Sequence, residues 1–580
     1  MLWRKIIEKD YIIVQKNLNL MHNIKPLIFL IICLMALSCK SQDQNSINHV
    51  LVESHYDDID AAISYYHELK TNSPEDYNFE DENELNNLGY RLLNDGRVED
   101  AIKIFTLLVS EFPTSANAYD SLGEAYLING NQNLALKNYK KSLALNPDND
   151  NADRVIVSIE NENRDRNKFY KKYSKNEYLE DLDELALKLT TANPHPYKFM
   201  SKADFWRVLE QKKDLITNET TYGEFIWHCS ELVANINCIH SGLGYFNQES
   251  EMLPVELRFP LETRFIGKKL FVTDPLINTD VTAGAEILTI NGASAEKLQE
   301  EIYRHISSQG HIETSKKYNY NSYGTAYIAY ALGFPPTYLV SFKGGKTAVE
   351  LNQLPRYEPA KRHYATNLCD SKDLCLDFLE SNTAVLTIIN TGAYYGNRFA
   401  IYKKFIDDSF RKINEQKIEH LIVDMRSNGG GPGNTGVYLL QHLVDKPFVY
   451  KKVSEGSNVA GQTFTPNDNR FKGNTYFLID GEGGSTTGHI LSFVKQRKLA
   501  TIIGEELGGN HFCTGGQRPY KLTNTEVFYY VGRYTHISSA DSFPDERGIM
   551  PDHYVTENIT DYLNNDDRVM DYTLRLIDGK

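Results

Sequence analysis

The chain has 580 residues, which predicts about three or four domains at roughly 150 residues each. Its composition, with 41% hydrophobic and 24% charged residues, excludes a wholly disordered, collagen-like or polytopic membrane protein. Acidic residues (77) outnumber lysine plus arginine (62), and the resulting formal charge of −15 repels a phosphate backbone, so nucleic acid is not expected as a partner.

An apolar run occupies residues 26–37, close to the N-terminus. It is shorter than the roughly 20 residues that span a bilayer. We interpret residues 1–39 as a signal segment that ends at a lipoprotein-type cleavage site, with Cys39 as the lipidated residue. Translation is expected to start at Met21, because acidic residues interrupt the stretch before it. The alternative is an uncleaved anchor. Either way, we expect a bacterial cell-envelope protein, held at the outer membrane or the periplasmic face.

Five cysteines follow Cys39, and none of them has CxxC or Cys/His metal-site spacing. We therefore expect neither a structural metal nor a cofactor. Cys369 and Cys375 are close enough in sequence to bridge a short loop, but we interpret them as buried thiols.

An internal repeat of 34 residues follows the signal segment. The matching pairs are Leu88/Leu122, Gly89/Gly123, Gly96/Gly130, Ala101/Ala135, Ile102/Leu136, Phe105/Tyr139 and Pro113/Pro147. Small residues at these spacings let two helices cross closely, and the proline ends the second helix. The pattern resembles tetratricopeptide repeats, and a degenerate third unit precedes it. The resemblance implies an all-α solenoid over residues 50–160 that binds a protein partner and carries no chemistry.

The next two regions differ in their periodicity. Residues 165–245 have leucines at helical spacing, and residues 250–360 change to short strands with turn signals. Within the second region, a strand and an Asn-Gly turn over Gly284–Gly292 precede a short helix. This segment resembles the carboxylate-binding-loop region of PDZ domains. The resemblance implies a β-rich insert with a strand edge that pairs with a peptide end.

Strands and helices alternate over residues 370–580. Continuous apolar strands are predicted at 384–389, 421–423, 476–479 and 500–503, and helices at 398–416, 436–444 and 487–497. This pattern indicates a mainly parallel sheet that is covered on both faces. Functional sites in such folds gather at the carboxyl ends of the strands.

Two of those strand ends are rich in glycine. Asp424–Asn434 follows the second predicted strand, and Asp480–Gly488 follows the third and enters a helix. Ser485 stands between glycines and the first turn of that helix, where backbone N–H groups and the helix dipole favour an anion. Acyl transfer requires this combination of a nucleophile and donors aimed at an oxyanion.

Together the two glycine-rich segments resemble the C-terminal processing (tail-specific) serine peptidases, in the tricorn-core branch. The matching residues are Asp424, Arg426, Asn428, Gly430, Gly431, Ser485, Gly504, Glu505, Gly548, Pro551 and Asp552. The resemblance covers roughly residues 165–580 and implies a crotonase-like α/β peptidase core behind the helical lead-in and the insert. It also implies Ser485 as the nucleophile, with the backbone amides of Gly430 and Thr486 as the oxyanion donors.

The resemblance is less specific for the general base. One branch of the family has a lysine six residues after the glycine of the Gly-Glu pair, and Asn510 at this position excludes that dyad. The tricorn-like branch uses a histidine at the start of the peptidase region, which implies His240 as the base and Glu546 as the acid that orients it. The alternatives that stay open as base or acid are His489, His511 and Asp545.

Two other functions compete with peptide hydrolysis. Gly431–Gly436 has the G-x-G-x-x-G pattern of a dinucleotide-binding turn, but six residues separate it from the strand end at Asp424, which disfavours an oxidoreductase. A catalytically inactive homologue that binds peptides as an envelope scaffold is the stronger alternative, because the lysine is missing. We predict an exported serine endopeptidase that hydrolyses peptide bonds through an acyl-enzyme on Ser485.

Overall fold

The computed structural model describes residues 45–149, 151–156, 166–243, 253–278, 280–354, 373–457 and 459–579. The chain divides into two compact units, Met1–Ala152 and Asp153–Lys580. The signal segment with Cys39 lies outside the described residues, and so does Cys369. Within the described ranges, we find no helix with the length and apolar character needed to cross a membrane.

The first unit is built from consecutive helices that pack in pairs. They are α1 (Ile47–His55), α2 (Ile59–Asn72), α3 (Glu82–Asn94), α4 (Val98–Glu111), α5 (Ala116–Ile128) and α6 (Gln132–Leu145). A Cβ atom on Gly89 would lie 2.4 Å from the Phe105 ring, and one on Gly123 would lie 3.0 Å from the Tyr139 ring. Close helix crossings therefore recur at the interval of the sequence repeat, and both need glycine.

The second unit begins with a helical segment that shares one hydrophobic core with the insert after it. Its helices are α7 (Lys175–Ala192), α8 (Lys202–Leu215) and α9 (Tyr222–Ala234), followed by the short strand β1 (Gly242–Leu243). A capping box of Thr221 and Glu224 starts α9. The helical periodicity of this region is therefore confirmed.

The insert combines an antiparallel sheet with two helices. Its elements are β2 (Glu262–Ile266), β3 (Lys269–Asp274), β4 (Glu286–Ile290), β5 (Ala293–Ser294), α10 (Ala295–Arg304), α11 (Glu313–Ala331), β6 (Leu339–Phe342) and β7 (Val349–Glu350). The helix predicted after the Asn-Gly turn is observed as α10, whereas the prediction of short strands in the rest of this region is wrong for α11. This segment is rich in tyrosine, which favours strands locally, but burial from Tyr320 onward holds it as a helix in the core.

The rest of the chain alternates between strands and helices. The strands are β8 (Leu374–Leu379), β9 (Thr383–Ile388), β10 (His420–Asp424), β11 (Phe448–Val449), β12 (Lys451–Ser454), β13 (Thr463–Phe464), β14 (Asn474–Ile479), β15 (Thr501–Gly504), β16 (Phe512–Gly515), β17 (Arg518–Lys521), β18 (Phe528–Val531), β19 (Tyr534–Ser538) and β20 (His553–Tyr554). The helices are α12 (Phe399–Glu415), α13 (Gly433–Gln441), α14 (Thr486–Arg497), α15 (Ile559–Asn564) and α16 (Arg568–Ile577).

The large sheet of this region has the order β20-β15-β14-β10-β9-β8. Neighbours from β9 to β20 are parallel, and β8 is an antiparallel edge strand. On β10, Leu421 and Val423 pack into one hydrophobic cluster and Ile422 into another, so both faces are covered. The prediction of a mainly parallel, two-sided sheet is confirmed. A smaller antiparallel sheet, β12-β19-β16, carries side chains of the candidate site.

The cysteines differ in their state. Cys229, Cys238 and Cys513 are buried free thiols. Cys375 takes part in a disulfide with none of these three, so its interpretation as a buried thiol is wrong. It lies half-buried on the edge strand β8, where a bridging partner can reach it.

Candidate active site

The two glycine-rich loops lie side by side because β10 and β14 are parallel neighbours that end together. The Thr486 hydroxyl donates a hydrogen bond to the main-chain oxygen of Gly431, with an Oγ1–O distance of 2.5 Å. A Cβ atom on Gly430 would lie 2.8 Å from both Ser485 Cβ and Thr486 N. The contact between the loops therefore requires the absence of a side chain at Gly430, which also has φ of 97°.

Asn428 joins the first loop to its surroundings from a fully buried position. Its Oδ1 accepts from Thr391 Oγ1 at 3.2 Å, from Gly430 N at 2.9 Å and from Thr487 Oγ1 at 3.1 Å. Its Nδ2 donates to the Ile388 carbonyl at 2.8 Å. One amide side chain thus connects the end of β9, the first loop and the first turn of α14.

Asp480 makes a second connection between the loops. Its carboxylate accepts the Ser427 amide at 3.0 Å and the Glu482 amide at 3.1 Å. Burial, reinforced by the charge of Glu482, raises the pKa of Asp480 to about 7. The two loops are therefore held in register by buried polar side chains that come from the motifs themselves.

Arg426 forms ion pairs with two carboxylates, and one of them, Asp424, is the last residue of the preceding strand β10. Its guanidinium lies 2.7 Å from Asp424 Oδ2 and 2.7 Å from Asp567 Oδ1. Burial works against the charge, but the two carboxylates outweigh it and raise the pKa of Arg426 well above its ordinary value. This cluster holds β10 and the start of α16 together and makes no contact with Ser485.

Ser485 has a strained backbone at the start of α14, with φ of 51° and ψ of −120°. Such a conformation costs a non-glycine residue about 1–3 kcal/mol and persists where the surrounding contacts impose it. The hydroxyl faces the Cys513 thiol. Burial raises the pKa of this thiol to about 12, while the charge of Lys451 and a hydrogen bond with Ser485 lower it. Cys513 Sγ also lies 3.7 Å from His489 Nε2.

The histidines His240, His489 and His536 are coupled electrostatically in this region. Burial, with the nearby charge of Lys451, lowers the pKa of His240 to about 4 and that of His536 to about 3. Burial, with the charge of Lys451, also lowers the pKa of His489 well below its ordinary value. All three imidazoles are therefore neutral at pH 7, which is the state that a general base requires.

His511 has a carboxylate partner. Its Nε2 lies 2.8 Å from Asp545 Oδ1, whereas neither His240 nor His489 forms an ion pair with any carboxylate in the described ranges. The loop before it flanks the nucleophile, because a Cβ atom on Gly509 would lie 3.3 Å from Ser485 N. Burial lowers the pKa of His511, and the Asp545 carboxylate opposes this effect.

Glu546, the expected acid, is exposed. Its main-chain oxygen accepts the His311 amide at 2.9 Å, and no hydrogen bond or ion pair between described residues joins its carboxylate to His240. Asn510, at the position of the absent lysine, has a structural role: its Nδ2 donates to the Asp545 carbonyl at 2.6 Å.

The two amides expected as oxyanion donors differ in whether their N–H group already has a hydrogen-bond acceptor. The Thr486 amide has no hydrogen-bond acceptor among the residues described. The Gly430 amide donates to Asn428 Oδ1 at 2.9 Å, so it is engaged within its own loop. The next amide, that of Gly431, has no acceptor in the described part of the chain. The N–H groups of Gly431 and Thr486, one from each loop, therefore have no acceptor among the described residues.

Lys451 is a site residue that no sequence motif indicated. It begins β12, its side chain is only 3% exposed, and its Nζ lies 3.3 Å from where a Cβ on Gly433 would stand. Burial lowers its pKa to about 8. The only signal in the sequence is the alternation of the strand, since Lys451 is buried and Lys452 is exposed. That signal is readable only once the strand and its buried face are known.

Residues 388–555 match the family model of peptidase family S41. The matched segment contains both glycine-rich loops, Ser485, Lys451 and the His511–Asp545 pair, whereas His240 lies before it. No curated protein matches the sequence.

Several solved structures resemble this chain at low identity. Mature CPAF is 12% identical, with 70% of this chain and 98% of that chain covered and a TM-score of 0.47. The photosystem II D1 C-terminal processing protease is 12% identical, with 65% and 93% covered and a TM-score of 0.33. The tricorn protease is 15% identical, with 70% and 37% covered and a TM-score of 0.32.

Proposed function

We propose that the chain, a serine-type peptidase by the match of residues 388–555 to the family model of peptidase family S41, hydrolyses peptide bonds through an acyl-enzyme on Ser485. Its substrate is a peptide or protein. The placement of Ser485 carries the proposal: it is a strained residue of the second glycine-rich loop, at the N-terminus of α14 and against Gly430 of the first loop. The helix dipole and the free amides there favour the negative charge of a tetrahedral intermediate.

In the proposed reaction, a neutral histidine accepts the proton of Ser485 Oγ as the oxygen attacks the peptide carbonyl carbon. The same histidine then donates this proton to the leaving amine, and water hydrolyses the acyl-enzyme. The oxyanion accepts the Thr486 amide and one amide of the first loop. That amide is Gly430 when its hydrogen bond to Asn428 opens, and Gly431 otherwise.

His240 is the proposed base, because it is neutral at pH 7 and interacts with the buried histidines and lysine around Ser485. Glu546 would have to turn inward to orient it. His511 is the rival, since its bond to Asp545 is the kind of contact that holds an imidazole in one tautomer. His489 is the weakest candidate, because its Nε2 already faces Cys513.

Fluorophosphonate labelling of protein that begins after Cys39, followed by mass spectrometry of the adduct, tests the nucleophile. We expect one adduct on Ser485, its loss in Ser485→Ala, and its retention in Ser492→Ala on the same helix. Folded protein without an adduct would reject the proposal. If such protein also bound peptides with and without Ser485→Ala alike, the inactive peptide-binding homologue would be favoured.

Steady-state cleavage by His240→Gln and His511→Gln separates the two bases. Loss of a general base costs about 10²–10⁴ in rate, so the variant of the true base should fall by that factor. We expect this loss in His240→Gln. Wild-type cleavage by this variant, together with a large loss in His511→Gln, would move the assignment to the His511–Asp545 pair.

We also propose that the N-terminal segment exports the chain and anchors it through lipidated Cys39, that the first unit binds a protein partner, and that the insert orients a peptide end. Support comes from the signal-like sequence, the 34-residue repeat and the edge strands of the insert sheet. Metabolic labelling with radioactive palmitate tests the anchor, with Cys39→Ser as the control. Incorporation into this variant at the wild-type level would contradict the lipidation site.

A further inference from the structure

Lys451 is a buried cation without a counter-charge in the described part of the chain. Its side chain is 3% exposed, and its ammonium forms no hydrogen bond or ion pair with any described residue. Its nearest aromatic contact is the Tyr450 ring, whose centroid lies 5.6 Å from Nζ. Lysine is almost never fully buried unless it is paired. The neighbouring Lys452 follows this rule, since it is exposed and lies 2.7 Å from Asp541.

The surroundings of Lys451 favour an anion. Its Nζ lies next to Gly433, the first residue of α13, and helix N-termini carry partial positive charge. The N-terminus of α14, with Ser485, lies on the adjoining loop. The titratable groups coupled to Lys451 are Cys513, His240, His489 and His536, and none of them is a carboxylate. Among the residues that the structure describes, no carboxylate pairs with the Lys451 ammonium beside these helix N-termini.

The ammonium is close to the site of reaction. Gly433 follows Gly430 by three residues, a stretch that spans at most about 11 Å. Gly430 itself contacts Ser485 and Thr486. An extended peptide covers this distance with about three residues. A substrate group that reaches Lys451 therefore lies within about three residues of the scissile bond.

We propose that Lys451 binds a carboxylate of the substrate within about three residues of the scissile bond. This inference rests on the proposed function and specifies its substrate class. Two sources carry the same chemistry: the α-carboxylate of a peptide C-terminus, and the side chain of an aspartate or glutamate. Either one supplies the negative charge that Lys451 lacks among the described residues, and the burial of the lysine reduces the screening of such a pair by salt.

Two general roles for Lys451 make a different prediction. As a base for Ser485, or as a charge that stabilises the oxyanion, the lysine would serve every substrate to the same degree. Carboxylate binding instead separates acidic substrates from their neutral isosteres. The test therefore compares substrates within each variant and does not depend on activity alone.

The experiment uses one cleavable peptide in matched forms. Asp replaces Asn at single positions up to three residues on either side of the scissile bond, and the C-terminus is free or amidated. For wild-type protein we expect kcat/KM to be at least about tenfold higher for one carboxylate form than for its isostere. Lys451→Met should lose this preference and still cleave the neutral form, whereas Lys452→Met should keep it. The preferred form identifies the carboxylate source.

A binding measurement distinguishes failure of the inference about Lys451 from failure of the proposed function. Fluorescence anisotropy with Ser485→Ala, with and without Lys451→Gln, measures affinity for the same peptides without hydrolysis. A Lys451-dependent preference in binding without cleavage by any variant would support the inference and reject the proposed function. Cleavage without any carboxylate preference in wild type would overturn the inference alone. So would an equal loss for every peptide in Lys451→Met, which is the result expected of a base or an oxyanion partner.

Discussion

Arg426 and Lys451 are both buried cations of the second unit, and their surroundings are opposite. Arg426 lies 2.7 Å from each of two carboxylates, and its pKa is raised well above the ordinary value. Lys451 has no carboxylate partner among the described residues, and burial lowers its pKa to about 8. The charge of Arg426 is balanced by carboxylates of the fold, and these ion pairs hold secondary-structure elements together. A buried charge without a partner lowers the stability of the folded protein until a ligand of opposite charge binds, so it indicates a binding site.

The largest expected effect is the loss of cleavage in Ser485→Ala, which should occur without a comparable loss of stability. Ser485→Ala should lower peptide cleavage by about 10⁴-fold or more, because the covalent step is lost. The free energy of unfolding should stay within about 1 kcal/mol of wild type, since surrounding contacts hold the loop and no fold-stabilising charge is removed. Peptide cleavage assays and urea unfolding measure the two quantities. A large loss of stability without loss of cleavage would contradict the assignment of this loop to catalysis.

Arg426→Met should have the largest effect on stability. The substitution leaves Asp424 and Asp567 without their partner, and breaking a buried pair in this way costs about 3–5 kcal/mol. Urea unfolding at pH 7 measures the loss. Arg411→Met is the matched control, because Arg411 is exposed and pairs only with carboxylates of its own helix, so it should cost less than about 1 kcal/mol. Equal losses of unfolding free energy in both variants would contradict the distinction between a buried ion pair and a surface ion pair.

Lys451→Met should stabilise the protein at neutral pH. The folded pKa of about 8 lies below the ordinary value of 10.5, so the unfolded chain takes up the proton first and stability is lost as the pH falls from about 10.5 to about 8. Below pH 8 the full penalty is present. The variant should exceed wild type by on the order of 2–3 kcal/mol at pH 7, and the difference should shrink between pH 8 and pH 10.5. Lys452→Met, which loses a surface pair, should not gain stability. A destabilised Lys451→Met would indicate an unrecognised counter-charge.

The smallest expected effect is a pH dependence of substrate preference. The pKa of Lys451, about 8, implies that its ammonium is lost as the pH rises through this value. The preference for a carboxylate peptide, about tenfold at neutral pH, should therefore decline toward none above pH 9. On the acid side, the pKa of His240, about 4, places the loss of its basic form near that pH. The ratio of kcat/KM for matched peptides measures the alkaline change, and kcat/KM of the neutral peptide measures the loss of activity on the acid side. A ratio that is independent of pH would reject the role of the ammonium.

Much of the α/β region was predictable, because its signals are local. Buried parallel strands are continuous apolar runs, and the predicted strand at 384–389 is observed at Thr383–Ile388. The predicted helix at 487–497 is observed at Thr486–Arg497. Glycine-rich turns at strand ends are also local features, so both loops that surround Ser485 were visible in the sequence.

The other side chains of the candidate site come from distant parts of the chain. His511 and Asp545 are 34 residues apart in sequence, and their contact arises only when the loop after β15 packs on the segment after β19. In α11, local preference predicts strands, and tertiary burial imposes a helix. Such pairings depend on packing energies that no short window contains.

By itself, the amino-acid sequence determined the alternation of strands and helices and the two glycine-rich loops, with Ser485 in the second, because each depends on neighbours within a few residues. The tertiary structure alone decided which charges are paired. Lys451 and Lys452 are identical in chemistry and adjacent in the chain, yet strand pairing buries Lys451 beside Gly433 and exposes Lys452 to Asp541. Successive side chains of a strand point to opposite faces, and only the packed fold determines which face becomes the interior.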